Sequence, residues 1–286
     1  MKKYKPTTKE ELKRLVFTNN GIKLSCIDTS LITDMSDLFN KSERKDFDGI
    51  EEWDTSNVEN MAYMFAYMGY NVLGKYSNTE FNSNLNNWNV SNVEDLSKTF
   101  RYCKAFDQPL NDWDVSNVKN MKCIFEDCEI FNQPLDKWDT SNVESMEFAF
   151  RACGKFNQPL NSWNMSKVTN IEHMFAFTEE FNQPLDKWDT RNVISVMLLF
   201  AYARKFDHYE SLANWNLDSL QAISIICDDT DKLPKRIQVY RQAFFPKEDI
   251  ISITKFNVKE IYELIADDKN KKVVRLKKRL ETDFSS

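Results

Sequence analysis

Six cysteines, two histidines, a ladder of Asp and Asn and one basic run are the residues whose chemistry could carry an activity in this 286-residue chain. Cys103, Cys128 and Cys153 stand 25 residues apart, and Met68, Thr178 and Ala203 occupy the same repeat position elsewhere. A position that accepts all four residue types predicts buried free thiols in a reducing compartment rather than a disulfide framework. No Cys-x-x-Cys pair offers a zinc site. His173 and His208 have no repeated Ser or Cys partner, which argues against a nucleophile–base pair. Asp54, Asn89, Asp114, Asp139, Asn164, Asp189 and Asn216 each follow a Trp. Without a second carboxylate at fixed spacing they fit side chains bonding to turn amides better than a calcium stack. Only 5 Gly leaves no phosphate-cradling loop. The expectation is therefore a non-enzymatic protein with no catalytic residue, no metal and no cofactor.

The elements that position these residues are set by repetition. The seven Trp (Trp53, Trp88, Trp113, Trp138, Trp163, Trp188, Trp215) are spaced by 35, 25, 25, 25, 25 and 27 residues, and two Phe columns keep the same phase. Such a period means stacked units that bury their apolar faces only against neighbours. Within a unit, Val118, Met121, Ile124, Phe125 and Cys128 recur with a near-3.6 period, which predicts a short helix. Ser56-Asn-Val-Glu59, Ser91-Asn-Val-Glu94 and Ser141-Asn-Val-Glu144 read as capping boxes, and Ser116 and Ser166 as caps without the Glu. Pro109, Pro134, Pro159 and Pro184 break the helix, predicting an extended segment around Leu-x-x-Trp. The fold class expected is an α/β solenoid, a leucine-rich-repeat-like right-handed stack of about seven or eight rungs, each a short helix plus an extended segment. Residues 1–31 form an N-terminal cap with a helix from Thr8-Lys-Glu-Glu11, 32–227 the repeats, and 228–286 a C-terminal cap with a basic helix. An insertion around residues 70–78 maps to a loop.

The repeated row Met-Phe-x-x-Cys-x-x-Phe-Asn-Gln-Pro-Leu-x-x-Trp-Asp-x-Ser-Asn-Val resembles the BspA-like leucine-rich-repeat family, in the branch with Trp-Asp-Val-Ser-Asn-Val repeats. The likeness spans roughly residues 7–227. It implies a bacterial or protist interaction protein, often at the cell surface, with no catalytic residues to transfer.

Net charge is −6 overall, divided as −9 over residues 1–227 and +3 over 228–286. The acidic balance does not point to nucleic acid, and no apolar run is long enough for a membrane span. The start, Met1-Lys-Lys-Tyr-Lys-Pro6, lacks a signal peptide's apolar stretch, so a cytoplasmic location is expected, with the surface as the alternative the resemblance implies. The partner expected is a protein or glycan, not a small molecule. The two residues between Leu and Trp vary while their neighbours repeat, which makes Asn86, Asn87, Asn111, Asp112, Asp136, Lys137, Asn161, Ser162, Asp186 and Lys187 the candidate binding strip. The alternative is an effector whose activity lies in residues 228–286, where Lys269, Lys271, Lys272, Arg275, Lys277, Lys278 and Arg279 form a basic run that could meet nucleic acid or an anionic membrane.

Overall fold

The computed structural model describes residues 3–17, 21–42, 44–67, 81–223, 226–227, 230–244 and 258–283. The insertion at 70–78 lies outside them, as do the side chains beyond Lys278.

The repeats form a stack of turn-built coils, and the α/β solenoid with leucine-rich-repeat rungs is not what forms. Among the described residues of 32–227 there is no α-helix and no strand, only turns, two short 3-10 segments and isolated parallel bridges. One bridge residue per coil links Asp34, Asn60, Asp95, Asn120, Ser145, Asn170, Ser195 and Ala222 in sequence.

The reason is visible in one coil. Amides bond back three residues from Trp113 to Leu110, Val118 to Val115, Ile124 to Met121, Glu126 to Cys123, Cys128 to Phe125 and Phe131 to Cys128, each closing a β-turn. Consecutive turns send every third residue inward, which reproduces the i, i+3 spacing of a helix face. The intervening amides leave the coil: those of Met121, Cys123, Phe125 and Asp127 bond to the carbonyls of Ser145, Glu147, Ala149 and Arg151 in the next one, at 2.8–3.0 Å. A helix would have kept those donors to itself.

The Ser positions do not cap helices. Asp54, Asn89, Asp114, Asp139 and Asn164 instead accept from the amides of Ser56, Ser91, Ser116, Ser141 and Ser166 at 2.9–3.1 Å, the Asx turns that short polar side chains favour. The expected extended segment is likewise a turn, in which Leu110 and Trp113 are the ends and Asn111 and Asp112 the projecting middle.

The core is a set of columns. Phe65, Phe100, Phe125, Phe150, Phe175 and Phe200 stack at 5.6–5.9 Å between centroids. Each indole N–H donates to a carbonyl of the preceding coil; Trp138 bonds to Leu110 at 2.9 Å and Trp163 to Leu135 at 3.0 Å. Cys103, Cys128 and Cys153 donate Sγ–H to the Phe65, Phe100 and Phe125 carbonyls, and Thr178 donates to Phe150 in the same way. That column is therefore a donor column as well as core filler. Gly49 is required where it stands: its φ is 87°, and a Cβ would lie 2.5 Å from Ser25.

Among the described residues α-helices occur only at the ends. α1 (Lys9–Val16) begins at Thr8, whose hydroxyl accepts from the Glu11 amide, and buries Leu12 and Val16. After the last coil come α2 (Lys235–Phe244), α3 (Val258–Leu264) and α4 (Lys271–Asp283). The basic run lies on α4 except for Lys269, and Asn270 stands between the two. It is 3% exposed, accepts from the Lys272 amide and donates to the carbonyls of Leu217, Asp218 and Leu220, fastening α4 to the last coil.

Candidate functional site

The ten strip residues project from one edge as the middle pairs of the Leu–Trp turns. They are exposed or half-buried, and most are engaged along the stack. Asn86 Nδ2 donates to Asp112 at 2.7 Å, Asn111 to Asp136 at 3.0 Å and Asn161 to Asp186 at 2.8 Å. The amides of Asp112, Lys137 and Lys187 donate back to Asn86, Asn111 and Asn161. Lys137 Nζ reaches Asp112 at 2.8 Å, and Ser162 donates to the Asp136 carbonyl. The pull of Lys137, then of Asn86, holds the Asp112 carboxyl below its ordinary range. The strip is an interlocked ladder, and a partner would have to displace bonds already made.

A different face carries the side chains most suited to contact. Within each run of turns two non-glycine residues, four apart, take left-handed φ: Tyr63 and Tyr67, Lys98 and Tyr102, Cys123 and Asp127, Phe148 and Ala152, His173 and Phe177, Leu198 and Tyr202. The third position of a type II turn takes this sign of φ. All but the buried Cys123 are half-buried or exposed, and the amides of those from Tyr63 to Phe177 bond to the next coil. The result is a flat ribbon of paired rings: Tyr67 on Tyr102 at 4.8 Å, Phe148 on His173 at 4.6 Å, Phe177 on Tyr202 at 4.6 Å. Phe177 and Tyr202 are 42% and 53% exposed.

Charge is placed between the rings. Arg101 lies over both Tyr67 and Tyr102 at 5.1 Å, and Arg151 lies over Phe177 at 5.4 Å. Both guanidinium groups converge on the buried Glu126 carboxylate, Arg101 at 2.6 Å and Arg151 at 3.2 Å. Asp127 has a 3.5 Å contact with Arg151; burial, then the Glu126 charge, raises its carboxyl above the ordinary value. Cys123 beside them is buried, and its thiol is pushed up to about 12 by that burial and by Glu126. A thiol held protonated is a poor nucleophile. The arrangement offers aromatic and cationic contact area on a fixed backbone.

Sequence reasoning passed over this ribbon. The signal was present, because the positions two before and two after the Phe125 column change from coil to coil while that column does not. At the C-terminal end α4 carries the second notable surface. Lys271, Lys272, Val274, Arg275 and Lys278 are exposed, while Val273 and Leu276 are buried. Among the described residues no helix is long and apolar enough to cross a membrane, and no group of three or more His, Cys, Asp or Glu is arranged to hold a metal ion.

Comparison with known proteins found no matching curated protein and no matching solved structure. A family model described as Mycoplasma protein of unknown function, DUF285, matches three overlapping stretches, residues 10–134, 71–153 and 131–240. Matches that together run from the start of α1 through the repeats and into α2 place the chain in that family: it is a member of DUF285.

Proposed function

We propose that this chain is a non-enzymatic interaction protein that binds a protein partner across the ribbon of left-handed residues. The observation that carries the reading is the gathering of Tyr67, Tyr102, Phe177 and Tyr202 with Arg101 and Arg151 on one surface. Tyr, Phe and Arg are the residues enriched in interface centres. They stand on a backbone tied to both neighbouring coils, so little ordering entropy is lost on binding. The resemblance of the Trp-Asp-x-Ser-Asn-Val rows to BspA-like interaction proteins supports the same reading without the leucine-rich-repeat architecture. Thiols that serve as hydrogen donors to buried carbonyls must stay reduced, which favours a reducing, intracellular compartment.

The test is capture of partners by the intact chain, repeated with Tyr67→Ala/Tyr102→Ala and Phe177→Ala/Tyr202→Ala. Loss of the same captured protein in both, with an unchanged unfolding midpoint, is the expected result. Retention in both, with loss on changing Asp112, Lys137 and Lys187 to Ala, would move the site to the edge ladder.

A further inference from the structure

We propose that the exposed arc of α4 is an electrostatic docking site for the anionic headgroups of a lipid bilayer. At 100° per residue Val274, Lys278, Lys271, Arg275 and Lys272 fall on one arc of about 160°, and all five are exposed. The opposite side, Val273 and Leu276, is buried in the core. The helix's own acids, Glu281 and Asp283, come only in its last turn.

Three acids on the packed elements are engaged elsewhere, and Glu263 and Asp267 are exposed. Asp268 pairs with Arg236 and Glu260 with Lys235, while Asp218 accepts from the Lys269 amide. Lys277 turns inward to the Ala266 carbonyl, whereas Lys272 lies 3.9 Å over the Phe244 ring, its charge still at the surface. Four cations on one helical arc form the kind of cluster that anionic lipid attracts, at several-fold in partition per basic residue.

The choice of a bilayer over a nucleic acid rests on what else the arc holds and where it lies. Its one uncharged member is the aliphatic Val274, and it presents neither an amide to read a base edge nor a ring to stack on one. Asn270 fixes the start of α4 to the last coil, at the end of a column whose residues 1–227 carry a net charge of −9. A polyanion lying along the chain would meet that acidic column. A bilayer meeting the exposed arc would face Lys271, Lys272, Arg275 and Lys278.

The experiment is sedimentation of the full chain with vesicles of phosphatidylcholine alone or mixed with about one-third phosphatidylglycerol, at low and high salt. The expected result is binding to the mixed vesicles only, reversed by salt. Lys271→Gln/Lys272→Gln/Arg275→Gln should reduce it on the order of 100-fold. Gln keeps helix propensity, so the variant's thermal midpoint should match the parent's. A control with Lys104, Lys155 and Lys205 changed to Gln, which removes the same charge from the coils, should bind as the parent does. Equal binding to neutral vesicles, equal loss in the control, or α4-dependent binding to a DNA duplex without binding to vesicles would each overturn the proposal.

Discussion

Trp138→Phe removes one donor from the middle of the indole column, and its cost can be worked out from the contacts. The indole is 3% exposed, stacked between Trp113 at 6.5 Å and Trp163 at 6.1 Å, with its N–H on the Leu110 carbonyl at 2.9 Å. Phe keeps a ring in the stack and leaves the carbonyl with the Trp113 amide as its remaining donor. A hydrogen bond lost from an acceptor that keeps another donor costs about 0.5–1.5 kcal/mol, and the poorer ring contact adds about 0.5–1 kcal/mol. The expected loss is therefore about 1–2.5 kcal/mol. Phe131→Leu, in a column whose rings have no polar atom, should cost under about 1.5 kcal/mol. Urea unfolding measures both variants. Hydrogen exchange locates the damage, because a stack couples mainly to its neighbours: protection should fall at Met121, Cys123 and Phe125, whose amides bond to the following coil, and hold at Met35 and Phe39. If Trp138→Phe destabilises by less than about 0.5 kcal/mol, the floor set by its ring contact alone, the indole hydrogen bond contributes nothing and the reasoning fails.

Cys128→Thr should be tolerated within about 1 kcal/mol, since Thr178 makes the same bond, whereas Cys128→Val takes one of two donors from the Phe100 carbonyl, which keeps the Cys103 amide, at about 0.5–1.5 kcal/mol; thermal midpoints of the pair decide it. Ala152 has φ 58°, so Ala152→Gly should raise stability by up to about 1 kcal/mol, and a fall in midpoint would show the position unstrained. Burial, then the Arg151 charge, holds His173 below its ordinary value. The folded chain therefore binds fewer protons than the unfolded one just below pH 6.5, and stability should decline as pH falls through that window; His173→Phe should flatten the decline in urea titrations at successive pH values.

The columns were legible in the sequence because identical residues at a fixed period have to meet their copies. Trp113, Trp138 and Trp163 stack as that logic requires, and the Asp and Asn after each Trp accept from turn amides. The conformation between the columns was not legible. Val115, Val118, Met121, Ile124 and Phe125 are spaced for a helix face and equally for successive β-turns, and burial pattern alone does not separate the two. What separates them is where the amide of Cys123 points, and that is decided by the next coil. The ribbon escaped notice for a related reason: left-handed backbone is usually flagged by Gly or Asn, and here Tyr, Lys, Phe, His and Leu adopt it.

That substitution bears on how the stack holds together and what it can present. Two residues per coil in the left-handed region cost about 1 kcal/mol each, a charge that isolated turns could not carry. From Tyr63 to Phe177 such residues also send their amides to the following coil, as Phe148 does to Glu172 and Ala152 to Ala176. The strain is thus tied to the bonds that join coils, and it is offset only while both neighbours are in place. Had the positions been Gly, the turns would form more readily and nothing would project from them. With Tyr102 and Phe177 there, the strained backbone raises rings and guanidinium groups into a surface that neither coil makes by itself, so any contact surface on the ribbon depends on the intact stack.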